Sequence, residues 1–160
     1  MIISFTGTRE GMTPIQMEVI KGIIATHKPT GISHGDCIGA DEQFHELAVL
    51  AGVRNACLRP GMNWKGETPT RANCHRKHIN LALGVAIDLH EPAQYLTRDA
   101  LIVSDGQLLV AAPVGPEVQR GSGTWATVRI GRRAYKRILI AHPDGSITPE
   151  NFTKAEEPSC

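Results

Sequence analysis

Short apolar runs alternate along this chain with longer segments of helical period. Ile2–Thr6 is a β-prone run, and the chain then carries Thr13, Pro14 and Gln16, the start signal of a helix with an N-cap, a proline in the first turn and a capping-box partner. Apolar residues recur on one face of the predicted helix until Pro29 stops it. The pattern predicts a strand, a loop and a helix.

The same plan returns further along the chain. Thr30–His34 and Val53–Leu58 are strand candidates with a helical segment between them, and Leu108–Ala112 and Ile138–Ala141 are two more, separated by a helix over about 124–136. These runs are apolar without alternation, which is typical of strands covered on both faces. The sequence therefore predicts an α/β fold, a doubly wound, mostly parallel sheet of about five strands.

One segment departs from this alternation. Residues of about 59–94 carry glycines and prolines and little period until Ile79–Leu83, so we expect a long excursion over the strand ends with a helix inside it. We predict a single domain over residues 1–147 and a loose C-terminal tail over 148–160, which contains proline and glutamate.

Composition and charge exclude some classes of function. The 160 residues are 41% hydrophobic and 21% charged, an ordinary globular composition, and the net charge of +1 provides no chain-wide basic field for nucleic acid or membrane. Any anion site must therefore be local. The chain shows neither a basic leader nor a run near the roughly 20 apolar residues of a membrane helix, so we expect a cytoplasmic protein without a membrane partner.

Four loops are predicted to meet beyond the carboxyl ends of the strands, where open parallel sheets bind ligands. They cover residues 7–9, 34–41, 113–115 and 120–124. Gly121–Thr124 opens a helix, and free amides there favour a phosphate, although a flexible turn with a hydroxyl cap explains the same residues. The chain has neither a dinucleotide-binding glycine fingerprint nor a P-loop.

Three arginines are candidates to neutralise an anion. Arg98 lies in a predicted helix start, where a cation opposes the helix dipole and a bound anion would offset that cost; the alternative is a solvated arginine paired with Asp99 or Glu91. Arg9 and Arg120 each lie within two residues of a glycine in a strand-end loop.

Two carboxylates bracket the glycine-rich turn after the second strand. Asp36 and Asp41 are candidates to accept ribose hydroxyls or to act as a general base. For Asp41 the alternative is favourable electrostatics at a helix start.

Two further groups of residues suggest chemistry that we do not predict. Cys74, His75, His78 and His90 match the spacing of no closed metal site, so we expect no metal and no cofactor. A basic stripe on the last helix is predicted to be a solvated face rather than a nucleic-acid surface, and its members are Arg129, Arg132, Arg133 and Lys136.

Five motifs occur in a recognisable order: Gly7-Thr8-Arg9, His34-Gly35-Asp36-Cys37-Ile38-Gly39-Ala40-Asp41, Tyr95-Leu96-Thr97-Arg98, Leu109-Val110-Ala111-Ala112-Pro113 and Gly121-Ser122-Gly123-Thr124-Trp125. Over roughly residues 2–141 this order resembles the SLOG superfamily, which gathers Rossmann-like nucleotide-ligand domains related to LOG phosphoribohydrolases and the DprA recombination mediator. The resemblance implies a modified Rossmann fold and, as in many such proteins, a homo-oligomer.

The LOG pattern P-G-G-x-G-T-x-x-E differs from this chain at one position that matters. With Gly123-Thr124 in register, Arg120 and Gly121 fall on the paired glycines, Arg98 falls near the upstream arginine and Thr127 replaces the glutamate. A threonine hydroxyl supplies neither negative charge nor a base for water. Binding without turnover is therefore the expected activity.

The resemblance leads to one expected function and two alternatives. We expect the protein to bind a phosphorylated nucleotide derivative, ADP-ribose-like or a cyclic nucleotide signal, as a sensor or as a sponge in phage defence or anti-defence. The alternatives are LOG-like cleavage of the N-glycosidic bond of nucleoside monophosphates and a DprA-like nucleic-acid module. The expected ligand-binding residues are Gly7, Thr8, Arg9, Gly35, Asp36, Gly39, Asp41, Arg98, Pro113, Arg120, Gly121, Ser122, Gly123 and Thr124.

Overall fold

Strands and helices alternate through most of the chain. A computed structural model describes residues 1–67 and 84–153. Its strands are β1 (Ile2–Gly7), β2 (Gly31–His34), β3 (Asn55–Leu58), β4 (Gly61–Met62), β5 (Ala86–Leu89), β6 (Ala93–Gln94), β7 (Leu108–Ala112), β8 (Arg137–Ala141) and β9 (Ile147–Glu150). Its helices are α1 (Pro14–His27), α2 (Ala40–Leu50), α3 (Tyr95–Asp105) and α4 (Gly123–Arg133).

Seven of the strands form one sheet in the order β5-β3-β2-β1-β7-β8-β9. All neighbours in it are parallel except β8 and β9, and β4 and β6 form a separate parallel pair. The predicted doubly wound, mostly parallel α/β sheet is confirmed. The strand order reverses direction between β1 and β7, and such a switch point leaves a crevice beyond the carboxyl ends of the two strands.

Helices cover the two faces of the sheet because successive strand side chains point to opposite faces. Under α1 and α2, Phe5 stacks on Phe44 with ring centroids 4.2 Å apart. Under α3 and α4, Trp125 and Val103 pack with apolar side chains of β7 and β8. No helix of the described residues is long and apolar enough to cross a membrane.

The predicted capping box at the start of α1 is confirmed, and it also ties the strand ends together. Thr13 Oγ1 accepts from the amide of Gln16, and Gln16 Oε1 accepts from the amide of Thr13. The fully buried Gln16 amide group donates to the carbonyls of Pro113 and Ala141, each at 2.9 Å. One side chain thus links α1 to the ends of β7 and β8.

Two strands of the sheet lie outside the predicted set. β5 pairs with β3 inside the predicted excursion, where Asp88 interrupts the apolar run and hides the strand pattern. β9 occupies 147–150 and therefore extends into the segment expected as a tail. The helix expected at 79–83 and the end of that tail lie outside the described residues.

Candidate functional site

A cavity of about 600 Å³ lies at the switch point, beyond the carboxyl ends of β1, β2 and β7 and beside the first turns of α3 and α4. Its volume is in the range of small-molecule sites. Ten of the fourteen predicted residues line it: Gly7, Thr8, Arg9, Gly35, Asp41, Arg98, Gly121, Ser122, Gly123 and Thr124. The four loops therefore do converge, as the fold class predicts.

The other four predicted residues lie beside the cavity or away from it. Asp36 is fully buried outside the cavity lining, has φ +54° and donates its amide to His34 Nδ1. Gly39 precedes α2 with φ +84°, and a Cβ there would collide with the carbonyl of Arg9. Pro113 is buried, and Arg120 is exposed on the loop before α4.

Arg98 is held in the first turns of α3 by groups from two parts of the chain. Its Nε lies 2.9 Å from Asp99 Oδ1, and its Nη1 donates to the carbonyl of Gly35 at 3.2 Å. Burial alone would lower the pKa of Arg98, but Asp99, Cys37 and Asp41 together raise it. The pairing of Arg98 with Asp99, which was the alternative to anion binding, is thus present, but both side chains are buried and not solvated.

Gly35 allows this close approach. A Cβ at Gly35 would collide with Nη1 of Arg98, so a larger residue there would displace the guanidinium from its present position. The glycine at the end of β2 therefore positions the arginine at the cavity wall.

Asp41 supports the same loop from the start of α2. Its Oδ2 accepts from the amides of Gly35 at 3.1 Å and Cys37 at 3.3 Å. Burial raises the pKa of Asp41 to about 6, although Arg98 and the two amides act in the opposite direction. This carboxyl can therefore gain or lose a proton near neutral pH.

Ten residues that line the cavity lie outside the predicted set, and three of them, Asp99, Cys37 and Tyr95, bear on its chemistry. Asp99 lies beside the hydroxyl of Thr127, and burial raises its pKa. Burial also raises the pKa of the Cys37 thiol to about 11, so it is protonated at neutral pH. The ring of Tyr95 lies at the cavity, 5.7 Å from the Arg98 guanidinium carbon. The sequence spacing predicts that Tyr95 lies one helical turn from Arg98, but it does not predict the direction in which the Tyr95 ring points.

The beginning of α4 supplies backbone donors. Ser122 is its N-cap, and the hydroxyl oxygen accepts from the amide of Trp125 at 3.2 Å. The amides of Gly123 and Thr124, in the first turn, have no acceptor within an α-helix. Both residues line the cavity, so the positive end of the helix dipole faces it.

Three of the four residues in the basic stripe make contacts within the fold, and the last, Lys136, lies just after the end of α4. Arg132 pairs with Glu117 at 2.9 Å and with Glu150 at 2.8 Å, and Arg129 lies 3.4 Å from Glu117. Lys136 donates to the carbonyl of Gly106 at 2.6 Å. These contacts explain the stripe as part of the fold and do not favour nucleic-acid binding.

Comparison with known proteins adds no assignment. A scan against protein-family models found no match to this chain, and a search of curated proteins found none either. The chemistry of the cavity is therefore the basis for a function.

Proposed function

We propose that this protein binds a phosphorylated nucleotide derivative of the ADP-ribose type in the cavity between β1 and β7, as a sensor or a sponge. One observation carries the proposal: arginines from two chain segments and the first turn of α4 line the same cavity at a sheet switch point. Such crevices favour nucleotides because helix amides and cations there meet phosphate oxygens.

Each part of the ligand has a matching group. The phosphate lies at the amides of Gly123 and Thr124, with Arg9 and Arg98 beside it. A ribose hydroxyl donates to the Asp41 carboxyl, whose Oδ2 already accepts from the β2 loop. The exposed face of Tyr95 is suited to stack on the base.

In this proposal the anion is bound by N–H donors that point into the cavity, and not by a net positive charge of the lining residues. The lining contains Arg9 and Arg98 but also Glu10, Asp41 and Asp99. Burial raises the pKa of Asp41 and of Asp99, so both carboxyls take up a proton more readily than exposed ones. A phosphate in this wall of mixed charge therefore depends on directed N–H groups.

The test is calorimetric titration of the purified protein with ADP-ribose, cyclic ADP-ribose isomers, AMP and NAD, together with thermal shift. A ligand at 1,000 times its Kd stabilises a protein by about 4 kcal/mol, which thermal shift detects, while the titration measures the heat of binding. The variant Arg9→Gln should weaken binding about tenfold or more, because it removes a charge-assisted hydrogen bond. Arg133→Gln, an exposed arginine on α4 outside the cavity lining, is the matched control.

Absence of heat and of thermal shift with every nucleotide would refute the proposal. Equal weakening by Arg9→Gln and Arg133→Gln would show general electrostatics instead of this site. Mass spectrometry of small molecules released by denaturing the purified protein would identify a retained ligand.

A second candidate, glycosidic hydrolysis, is favoured by the position of Asp99. This buried carboxyl lines the cavity beside Thr127, the residue that replaces the LOG glutamate. In that reaction a water oxygen bonds to the sugar anomeric carbon while the glycosidic C–N bond breaks, and the proton lost by the water balances the one that the leaving base gains. Free base released from AMP, and lost in Asp99→Asn, would support turnover; no product at stoichiometric enzyme would exclude it.

A further inference from the structure

A sulfur, a carboxylate and an imidazole lie together on the α3 face of the sheet, at its β5 edge. Cys57 of β3 is directly opposite Asp88 of β5, and His90 follows two residues later on the same face. One ligand atom from each lies within 4.8 Å of the other two, and His90 Nε2 is 3.0 Å from Asp88 Oδ2. These side chains are outside the cavity lining.

We propose that Cys57, Asp88 and His90 bind a divalent ion of the zinc class. Zn²⁺ accepts sulfur, nitrogen and oxygen donors, and sites with three protein ligands keep the fourth position for water. An ion pair alone would account for Asp88 and His90. The Cys57 thiol has no part in that pair, and with it the cluster offers sulfur, nitrogen and oxygen ligands to one ion. The ion enters from solvent, since the Asp88 side chain is 75% exposed.

The sulfur is held in place by a second layer of contacts. Asp105, at the end of α3, accepts from Cys57 Sγ at 3.4 Å and from Ser33 Oγ at 2.6 Å. Arg59 donates to both oxygens of Asp105, at 2.6 and 2.7 Å. These contacts fix the position of the sulfur in the metal-free protein. When the ion displaces the thiol proton, the hydrogen bond from Cys57 to Asp105 is lost. Arg59 also supplies a positive charge beside the anion that Cys57 becomes when it binds the metal.

The ion would join the edge strand β5 to β3. β5 pairs along one side only, with β3, within the described residues, and all four of its residues are exposed. A metal ion bound by Cys57, Asp88 and His90 would therefore link β5 to β3 and stabilise this exposed edge strand. His90 was expected to form no metal site with Cys74, His75 and His78, and those three residues lie outside the described residues.

The experiment is titration of the metal-free full chain with Zn²⁺ against a chromophoric chelator, and with Co²⁺ to detect the thiolate charge-transfer absorption. Cys57→Ser and His90→Gln should each lower Zn²⁺ affinity at least about 10- to 100-fold, the range for loss of an outer partner. Cys57→Ser should also abolish the Co²⁺–thiolate band. Cys37→Ser and His142→Gln are the matched controls and should change neither measurement.

Asp88→Asn, an exposed substitution, gives the same test without disturbing the core, and far-UV circular dichroism checks the fold of every variant. Lower affinity in all three ligand variants with unchanged controls would support the site. Absence of Zn²⁺ binding, or affinity unchanged in Cys57→Ser and His90→Gln, would overturn it. These outcomes are independent of nucleotide binding in the cavity.

Discussion

Replacing Asp41 with asparagine should stabilise the ligand-free protein at neutral and alkaline pH. Burial raises the pKa of this carboxyl from 3.8 to about 6 in the folded protein. Between these values the folded state holds a proton that the unfolded chain has released. The free energy of unfolding therefore falls as pH rises from about 4 to about 6, and it stays low above pH 6.

The size of the effect follows from the pKa difference. A rise of about two pKa units corresponds to about 3 kcal/mol of stability lost once the pH exceeds both values. Asparagine resembles the protonated carboxyl, since it carries no charge and retains an oxygen that accepts from the amides of Gly35 and Cys37. The gain from Asp41→Asn should thus grow from less than about 1 kcal/mol at pH 4 to about 3 kcal/mol at pH 8.

Urea denaturation of both proteins at each pH unit from 4 to 8, followed by circular dichroism, measures this difference. Asp144→Asn, on an exposed turn, is the control and should show no gain that grows with pH. If Asp41→Asn is less stable than the original protein at pH 8, the Arg98 charge and the two amides outweigh burial, and the reasoning fails.

Two further substitutions test the supports of the cavity. Gly35→Ala places a Cβ against the Arg98 guanidinium, so it should destabilise the protein by about 1–3 kcal/mol and weaken ADP-ribose binding, measured by urea denaturation and calorimetry. Gln16→Leu leaves the carbonyls of Pro113 and Ala141 without their side-chain donor and should cost about 2–4 kcal/mol in urea denaturation at pH 7.

The controls for these two substitutions come from α1. Gly22→Ala adds a methyl group to a helical position with open space around it, so it should raise stability by about 1 kcal/mol and leave nucleotide affinity unchanged. Glu18→Gln changes an exposed residue of the same helix and should leave stability within about 0.5 kcal/mol.

Unchanged ADP-ribose affinity in Gly35→Ala would show that Gly35 does not position Arg98 for the ligand. A cost below about 1 kcal/mol for Gln16→Leu would show that other donors satisfy the two carbonyls.

Local patterns were enough to predict most elements of this fold. The capping box of Thr13 and Gln16 and the apolar run Leu108–Ala112 are contained within a few residues, and both are confirmed. Once strands and helices alternate, the parallel topology follows, and it directs the strand-end loops to one edge of the sheet. The convergence of Arg98 with Gly121–Thr124 on one cavity was therefore predictable from the order of elements.

Only the tertiary structure determined which residues are buried and which distant strands pair, because neighbouring residues in the sequence carry no signal for either. Asp36 and Asp41 look alike in the chain, but Asp36 is buried outside the cavity lining whereas Asp41 lines the cavity, and burial raises the pKa of Asp41. β5 is recognised as a strand by its pairing with β3, about thirty residues earlier, because Asp88 breaks its apolar pattern. Burial and long-range pairing depend on the packed chain as a whole, so a local pattern does not contain them.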